Sequence, residues 1–464
     1  MESFASSGQF WLPHTPDRRV HGDLVFDEAG IQLRLMTTLR GPVVISDRTS
    51  GGSTQWATEP VVHGRLHSGK EVTLLEAAGL AIPVDIAQET WSARFVLTGG
   101  LAPDDLFSRV QVNFDYLLPW VRPAGILRGE LMASTVVIDT ARSTLAEATL
   151  PDGRTVRLLT GVTGRRSHDS VHLDQWCAFE VEGQPTPLAE ILNDWVRPLQ
   201  DLLIVCLGLP VRLGDTHLGS DLELRLFFEV VQAPATGSPP DHPEAFSSPT
   251  LLTYSGSPVS FPTLMTEWFG LCERLPAAIT LLCGPYYAPF IYSQHRYASI
   301  FQSAEAIAKA ELDGRQKEKS EHRLRVEAVA EVLQASNLNE ETVGWATRVL
   351  QGANHKPLRQ LIEELIAATS EVGSQLLAAV PDLPQLAADA RVGVSHPMDR
   401  RPGVLERHWI GEALVWVARV HLLAQLGVDM AELSQSVTAK PMFEQVVAEL
   451  RALTAAAAEA SATA

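Results

Sequence analysis

The spacing of apolar residues changes from a period of two to a period near 3.6 part-way along the 464-residue chain. This change restricts the fold more than any other feature. Up to about residue 230, short runs alternate apolar and polar residues and are separated by turn residues, as where Ile31 to Leu35 follows Gly30. Such runs are typical of antiparallel strands joined by tight turns. From about residue 293 onward, apolar residues recur three and four positions apart, as in amphipathic helices.

Within each half the pattern is clear enough to place individual elements. Three hairpins stand out: Val20–Phe26 with Ile31–Leu35, Val61–Leu66 with Val72–Leu75, and Leu145–Leu150 with Val156–Leu159. Regularly spaced hairpins predict an antiparallel sandwich or barrel. The segment from Leu188 to Leu207 has helical spacing that is interrupted near Pro198. The second half predicts six helices: Tyr297–Leu312, Glu321–Gln334 and Glu340–Leu350 (with Asn339 as its N-cap), then Lys356–Ala379, Gly403–Leu426 and Pro441–Ala458.

The boundary between the two halves is marked by composition. Residues 233–250 are rich in Pro, Ser and Gly, which is typical of a linker. Residues 255–292 are rich in aromatic residues and Pro and have no period that can be assigned. We therefore predict an α+β multidomain chain, with a β-rich domain over residues 1–250, a connector over 251–292 and an all-α bundle over 293–464.

Composition excludes several classes of protein. No apolar run of about 18 residues is present, so no transmembrane helix is predicted. The first 20 residues lack the apolar core of a signal peptide, and we expect a cytoplasmic protein. The net charge of −18 is unfavourable for a general binder of duplex nucleic acid, so RNA chemistry would require a local basic patch. Four cysteines show no metal-binding spacing, and neither a metal nor a cofactor is expected: Cys177, Cys206, Cys272 and Cys283.

One short segment carries residue types suited to metal-independent cleavage of RNA. Arg391 is followed five positions later by His396, in what the pattern predicts to be a loop in which Gly393 permits a sharp turn. An imidazole with a pKa of about 6.5 can exchange a proton with a ribose 2′-hydroxyl or with the leaving oxygen. A guanidinium can hold the phosphate and oppose the charge of the transition state. Three further arginines make the segment basic: Arg400, Arg401 and Arg407.

The spacing between Arg391 and His396 does not decide the function by itself. Similar pairs recur along the chain, and the pair Arg401–His408 is expected to be structural, near the start of the next helix. Helix capping by Arg391 and a surface position for His396 therefore remain an alternative interpretation. Walker A, dinucleotide-binding, nucleophile-elbow and zinc-protease motifs are all absent from the sequence.

Longer strings resemble a known family over most of the chain. In the first half they lie at Gly8–Pro13, Val20–Asp27, Gly30–Leu33, His63–Gly64 and Gly69–Leu74. These strings resemble the N-terminal domain of ApeA-type anti-phage proteins. The second half resembles their C-terminal HEPN domain, with Tyr297–Ala310 similar to its first long helix and Leu358–Ile366 to a middle helix. The pair Arg391 and His396 resembles its Arg-x4-6-His motif, and His421–Gly427 its closing helix.

The resemblance implies an abortive-infection protein with a metal-independent HEPN endoribonuclease. It implies Arg391 and His396 as catalytic residues, tRNA as the expected target, and products with a 2′,3′-cyclic phosphate and a 5′-hydroxyl. HEPN domains commonly pair so that two motifs face one cleft, so a homo-oligomer is expected. The N-terminal domain is expected to sense or restrain, with a phage protein as a candidate trigger.

Two other functions remain open at this stage. Val392 stands where the family usually has Asn, Asp or His, and Ser395 stands where its relatives tend to have Thr. The chain could therefore be a non-catalytic sensor or adaptor that binds a phage protein or a ligand and dimerises. A third interpretation makes the β domain a carbohydrate-binding or hydrolytic module with acidic residues such as Asp104, Asp105 and Asp115 as paired carboxylates.

Overall fold

The computed structural model describes most of the chain. The described residues are 4–27, 30–40, 55–82, 88–100, 105–123, 127–128, 137–138, 142–166, 171–219, 221–222, 224–228, 249–288, 292–312, 314–395 and 403–463. Two compact units divide the chain. The first comprises Met1–Phe246, Leu252–Phe269 and Tyr286–Phe290, and the second comprises Ser247–Leu251, Gly270–Pro285 and Ile291–Ala464. The domain boundaries expected at residues 250 and 292 stay a prediction.

The first unit is built mainly of antiparallel strands. They are β1 Phe4–Trp11, β2 Val20–Asp27, β3 Gly30–Leu35, β4 Gln55–Leu66, β5 Glu71–Ile82, β6 Gln88–Thr98, β7 Leu106–Phe114, β8 Leu127–Arg128, β9 Val137–Ile138, β10 Ser143–Thr149, β11 Thr155–Arg166, β12 Val171–Pro187, β13 Leu213–Leu218 and β14 Leu224–Phe228. The three hairpins expected from the sequence are confirmed as β2–β3, β4–β5 and β10–β11.

Six of these strands close into a barrel. They are hydrogen-bonded in the order β6–β3–β2–β1–β4–β5, and β5 pairs again with β6. One edge of β6 is divided, because β3 pairs with residues 89–93 and β14 pairs with residues 95–97. The strands β14, β13, β7, β12, β11 and β10 continue the sheet beyond that point. The predicted antiparallel β architecture is therefore confirmed as a closed barrel with additional strands.

Large apolar side chains fill the barrel. Phe10, Leu24, Leu33 and Trp91 are fully buried in its core. A Cβ atom on Gly79 would lie 2.4 Å from the indole of Trp91, so only glycine leaves room for this ring. The inward side chains alternate with exposed residues along β2, as the period-two pattern predicts.

Two helical segments interrupt the β-rich unit. The first is α1 Leu117–Val121, and the second consists of α2 Leu188–Glu190 and α3 Arg197–Leu207 with a π-helical turn over Ile191–Val196 between them. The break expected near Pro198 is wrong. A π-helical turn precedes this proline, and the helix continues through it. Pro198 lies in the first turn of α3 and has no N–H to donate to the preceding turn, where Asp194 O instead accepts a hydrogen bond from Arg154 Nη1 at 2.7 Å.

After residue 260 the regular structure of the described residues is helical. The helices are α4 Phe261–Arg274, α5 Pro276–Tyr287, α6 Ser293–Glu311, α7 Lys319–Gln334, α8 Glu340–Gly352, α9 Leu358–Ala367, α10 Glu371–Ala379, α11 Leu383–Ser395, α12 Val404–Gln425, α13 Met430–Thr438 and α14 Pro441–Thr463. The all-helical C-terminal architecture is confirmed. No described helix is long and apolar enough to cross a bilayer.

The helix boundaries correct the sequence interpretation in several places. The stretch 255–292, which has no assignable period, contains α4 and α5. The single helix expected over Lys356–Ala379 is two helices, because Ser370 adopts a non-helical conformation with a positive φ of 53°. Asn339 is confirmed as the N-cap of α8, and its side chain accepts a hydrogen bond from Thr342 N at 2.8 Å.

The core of the helical unit is arranged around α12. This helix is buried along most of its length, from Ile410 to Leu423. Helix α6 packs against it and contributes Ile300, Phe301 and Ile307 to the interior. Helices α9 and α11 also pack against α6. Helix α6 therefore holds together the elements that carry the residues of the Arg/His motif region.

Candidate functional site

Arg391 lies inside helix α11 and not in a loop. The helix continues to Ser395, so the sharp turn expected at Gly393 is wrong. Two buried alanines in the turn before Arg391, Ala387 and Ala390, hold α11 against the bundle. This packing outweighs the low helix propensity of the glycine and the neighbouring valines. The helix thus fixes the direction in which the Arg391 side chain leaves the backbone.

The Arg391 guanidinium is held by a carboxylate of α6. Its Nε donates a hydrogen bond to Glu305 Oε2 at 3.1 Å, and its side chain remains a quarter exposed. The other oxygen of Glu305 accepts a bond from Lys309 Nζ at 2.6 Å. One carboxylate therefore faces two cations, and this cluster of three residues keeps a net positive charge.

Glu305 remains ionised despite its position. Burial by itself would raise the pKa of this carboxyl. The hydrogen bonds and positive charges of Lys309 and Arg391 outweigh burial, and the pKa of Glu305 is lowered. The ion pair with Arg391 consequently persists through the neutral and mildly acidic range.

A second cluster joins the start of α6 to the start of α12. Tyr297 Oη lies 2.7 Å from His408 Nδ1, and the two rings meet edge to face. Next to this pair, Arg296 donates to Glu412 Oε1 at 2.9 Å. Burial raises the pKa of Tyr297, so its hydroxyl stays protonated at neutral pH. His408 is accordingly a packed residue of the bundle, and it lies in the second turn of α12.

The two helices approach closely at this second cluster. A Cβ atom on Gly411 would lie 2.8 Å from Cδ1 of Tyr297, so the tyrosine ring occupies the space a side chain would take. Arg407, one turn earlier on α12, is near enough for its charge to lower the pKa of Tyr297 in part. Arg407 is half-buried. Of the three arginines proposed to contact RNA, it is the one that the structure describes.

The remaining predicted site residues lie outside the described residues. They are His396, Arg400 and Arg401. Their placement, and the meeting of Arg391 with His396, stay predictions. The described residues on either side, Arg391 and His408, are held to α6 at positions eight residues apart, a separation of about 12 Å along the helix.

The sequence patterns did not predict a role for several residues of these clusters. Glu305 and Lys309 are four positions apart on one helix, and this spacing was an available signal for an ion pair. Nothing local in the sequence links Glu305 to Arg391, since 86 positions separate them. Among the described residues, no group of three or more His, Cys, Asp or Glu is arranged to hold a metal ion.

Among the acidic residues considered for a hydrolytic β domain, Asp115 has a structural partner. Asp115 forms an ion pair with Arg212, with 2.6 Å between Oδ2 and Nε. Asp104 lies outside the described residues. The arrangement gives Asp115 a structural partner at a strand end.

Comparison with known families places both halves of the chain. The family model described as ApeA N-terminal domain 1 matches residues 5–268, which is more than half of the sequence. The chain belongs to the ApeA family. The model described as Apea-like HEPN matches residues 298–432, a range that includes Glu305, Arg391 and His408 of this ApeA-family chain. No curated protein and no solved structure matched it.

These matches confirm the resemblance seen in the sequence. An ApeA N-terminal domain followed by an Apea-like HEPN domain supports an anti-phage HEPN protein. HEPN domains as a family generally have ribonuclease activity. The Arg391–Glu305 pair of this ApeA-family chain therefore lies in a domain whose relatives act on RNA.

Proposed function

We propose that this ApeA-family protein is an anti-phage endoribonuclease that cleaves cellular RNA without a metal ion. Arg391 and His396 are its proposed catalytic residues. The observation that supports this most directly is the Arg391–Glu305 pair, which holds a partly exposed guanidinium on a rigid helix of the HEPN domain. A fixed cation of this kind is suited to a phosphate group that gains charge in the transition state.

The proposed reaction is an attack of the ribose on its own phosphate. The neutral imidazole of His396 takes the proton of the 2′-hydroxyl, and the 2′-oxygen forms a bond to phosphorus. The bond from phosphorus to the 5′-oxygen breaks, that oxygen takes a proton from water and leaves as a 5′-hydroxyl, and the His396 imidazolium returns its proton to the resulting hydroxide. The other product is a 2′,3′-cyclic phosphate. Arg391 holds the non-bridging oxygens and opposes the developing charge.

Glu305 has a positioning role in this proposal. It accepts a hydrogen bond from the Nε of Arg391 and so fixes the orientation of the guanidinium. Lys309 shares the carboxylate and offsets its negative charge, which would otherwise repel RNA. The local excess of positive charge supports RNA binding in a chain whose overall charge is −18.

The finer parts of the function are proposals as well. We propose tRNA as the target, Arg400, Arg401 and Arg407 as phosphate contacts, and pairing of two HEPN domains across the motif. The N-terminal domain would sense infection, with a phage protein as trigger, or restrain the nuclease. A cytoplasmic location fits a cellular RNA target.

The proposed nuclease is tested with purified protein and tRNA in the presence of EDTA. Wild type, Arg391→Ala and His396→Ala are compared by the length and end chemistry of the products. Arg451→Ala, which removes an exposed arginine of α14, is the matched control and should cleave like wild type. Equal cleavage by wild type and His396→Ala would contradict the assignment.

A non-catalytic sensor or adaptor is the second candidate. Val392 supports it, because this apolar side chain is 39% exposed beside Arg391, where the family motif usually places a polar residue. The two functions differ in their dependence on the imidazole. If His396→Ala still protects cells against phage as wild type does, the adaptor function is favoured. If protection and toxicity are both lost, the nuclease is favoured.

A further inference from the structure

Helices α7 and α8 form a hairpin, which we define as residues 314–356. Its two ends are fastened together by one side chain, since Asn354 accepts a hydrogen bond from Lys317 N at 3.0 Å and donates one to Lys317 O at 2.8 Å. Close by, Lys356 N donates to Gly314 O at 2.9 Å. The ends of the hairpin are therefore fixed, and its two helices pack along each other.

The hairpin leaves an unusual amount of apolar surface in water. Val326 is the only buried side chain of α7, and α8 has none among its described residues. Fourteen large apolar side chains are exposed in the described part of the chain, and six of them lie here, each between 40% and 70% exposed. They are Leu324, Val329, Val332, Leu338, Trp345 and Val349. A cluster of this size is typical of an interaction surface.

Four of these side chains lie on one flank of the hairpin. The contact of His322 with Leu350 O and the burial of Val326 mark the line along which α7 faces α8. Successive side chains of an α-helix are rotated by about 100°, so each side chain can be placed relative to that line. Because the two helices are antiparallel, four of the exposed apolar residues lie on the same side of the hairpin. The set is Val329, Val332, Trp345 and Val349. The valines of α7 lie towards the tip of the hairpin, while Trp345 and Val349 lie towards its base.

Charge is divided along the same hairpin. Near the base, residues 314–325 contain five Lys or Arg and two Glu, and residues 348–356 add Arg348 and Lys356. Residues 326–347 towards the tip contain four Glu and neither Lys nor Arg. Each hairpin thus has a basic base and an acidic tip.

We propose that the hairpin is a self-association surface, on which the apolar flank of one copy packs antiparallel against that of a second copy. A two-fold axis then sets the tip valines of each copy against Trp345 and Val349 of the other. The same axis places the basic base of each copy against the acidic tip of the other copy. A parallel arrangement would join like charges, so the charge order selects the antiparallel one.

The distribution of charge along the hairpin supports a second copy of this chain as the partner at this surface. A hairpin with opposite charges at its two ends is complementary to itself when reversed. An unrelated partner would need the same division of charge in the opposite direction. The surface is also distinct from the Arg391 region, so this self-association does not depend on ribonuclease activity.

The first test is sedimentation velocity of the full chain over a series of concentrations. Trp345→Asp and Val332→Asp should raise the dissociation constant roughly ten-fold or more, because each places a charge within the apolar contact. Gln351→Asp adds the same charge on the opposite flank and should leave the constant unchanged. Circular dichroism confirms that each variant is folded, which is expected because the altered side chains are exposed.

A mixing experiment tests the arrangement. Arg325→Glu with Arg348→Glu makes the base acidic, and Glu331→Lys with Glu341→Lys makes the tip basic. Each double variant alone should associate more weakly than wild type, and an equimolar mixture of the two should recover association. Recovery supports contact between the base of one copy and the tip of another.

The opposite results would overturn the proposal. If the Trp345→Asp and Val332→Asp variants sediment like wild type at every concentration, the hairpin does not join two copies. If the mixture associates no better than its components, another partner or another arrangement is responsible. Pairing through the HEPN motif alone would leave all hairpin variants like wild type, so failure here is separate from failure of the proposed nuclease.

Discussion

The hydroxyl of Tyr297 lies 2.7 Å from Nδ1 of His408, and this contact joins the second turns of α6 and α12. Arg391, near the end of α11, is bound to Glu305 of the same helix α6. Helix α6 is therefore the common support for both flanks of the Arg/His motif region. Weakening either contact is expected to affect how the motif is held.

Replacing Tyr297 with Phe tests the first of these contacts. The variant keeps the ring and loses the hydrogen bond, so we expect the free energy of unfolding to fall by about 1 kcal/mol. Urea unfolding of the full chain measures it. Tyr292→Phe is the control, because this ring is 80% exposed and should lose almost nothing. Equal losses in both variants would show that the His408 contact contributes no stability.

The Glu305→Gln variant tests whether the carboxylate positions Arg391. Gln has the same shape but no charge, so the guanidinium loses its ion pair and its fixed orientation. Under the proposed function, the cleavage rate at saturating RNA should fall roughly ten-fold, as expected for a misplaced catalytic group. Glu371→Gln, on the exposed side of α10, is the control. An unchanged rate for Glu305→Gln would remove Glu305 from the mechanism.

Glu180 should make the N-terminal unit sensitive to acid. Its buried carboxylate accepts hydrogen bonds from Arg109 at 2.8 Å and Arg157 at 3.1 Å, and it also pairs with Arg142. Burial would raise the pKa of Glu180, but these arginines outweigh it and the pKa is lowered. The folded pKa is thus below the unfolded value of about 4.3. The stabilisation is complete above that pH and is lost as the pH falls through the folded pKa.

The corresponding measurement is urea unfolding of wild type and Glu180→Gln between pH 3 and pH 7. At pH 7 the variant should be less stable by about 1–3 kcal/mol, because three partly exposed arginines lose the buried carboxylate that they share. The difference should shrink at the acid end of the series. Glu182→Gln, whose carboxylate is about half exposed, should show a much smaller difference at every pH. A difference for Glu180→Gln that is independent of pH would contradict the assignment.

Two glycines of the helical unit should respond in opposite directions to the same substitution. Gly411→Ala forces a methyl group against the Tyr297 ring, and we expect a loss of about 1–3 kcal/mol. Gly344→Ala, in α8, meets nothing within 4 Å and should gain about 1 kcal/mol from helix propensity. Thermal unfolding compares the pair directly. A gain at both positions would mean that α6 and α12 can move apart without loss.

The sequence predicted the local structure well because the deciding interactions are local. Alternation around Gly30 is enough to specify β2 and β3, and Asn339 is enough to begin α8. Closure of the barrel could not be predicted, because the pairings of β1 with β4 and of β3 with β6 join segments far apart in the sequence. The break between α9 and α10 depends on a single residue with positive φ, Ser370, which an apolar period does not reveal.

The candidate site was predicted only in part for the same reason. Arg391 was selected by residue type, but its helical conformation follows from burial of the neighbouring alanines and not from local propensity. Glu305 and Tyr297 come from a helix that is distant in sequence. Their partners become visible only when α6 packs against α11 and α12.

The divided edge of β6 has a consequence for how the N-terminal unit loses its structure. Residues 89–93 support β3 and residues 95–97 support β14, while β5 covers the other edge. Loss of β14 would expose backbone groups of β6, the strand that closes the barrel. Opening of the barrel would in turn release β6, which pairs with the first strand of the outer sheet. Barrel and outer sheet are therefore expected to melt together in one cooperative transition.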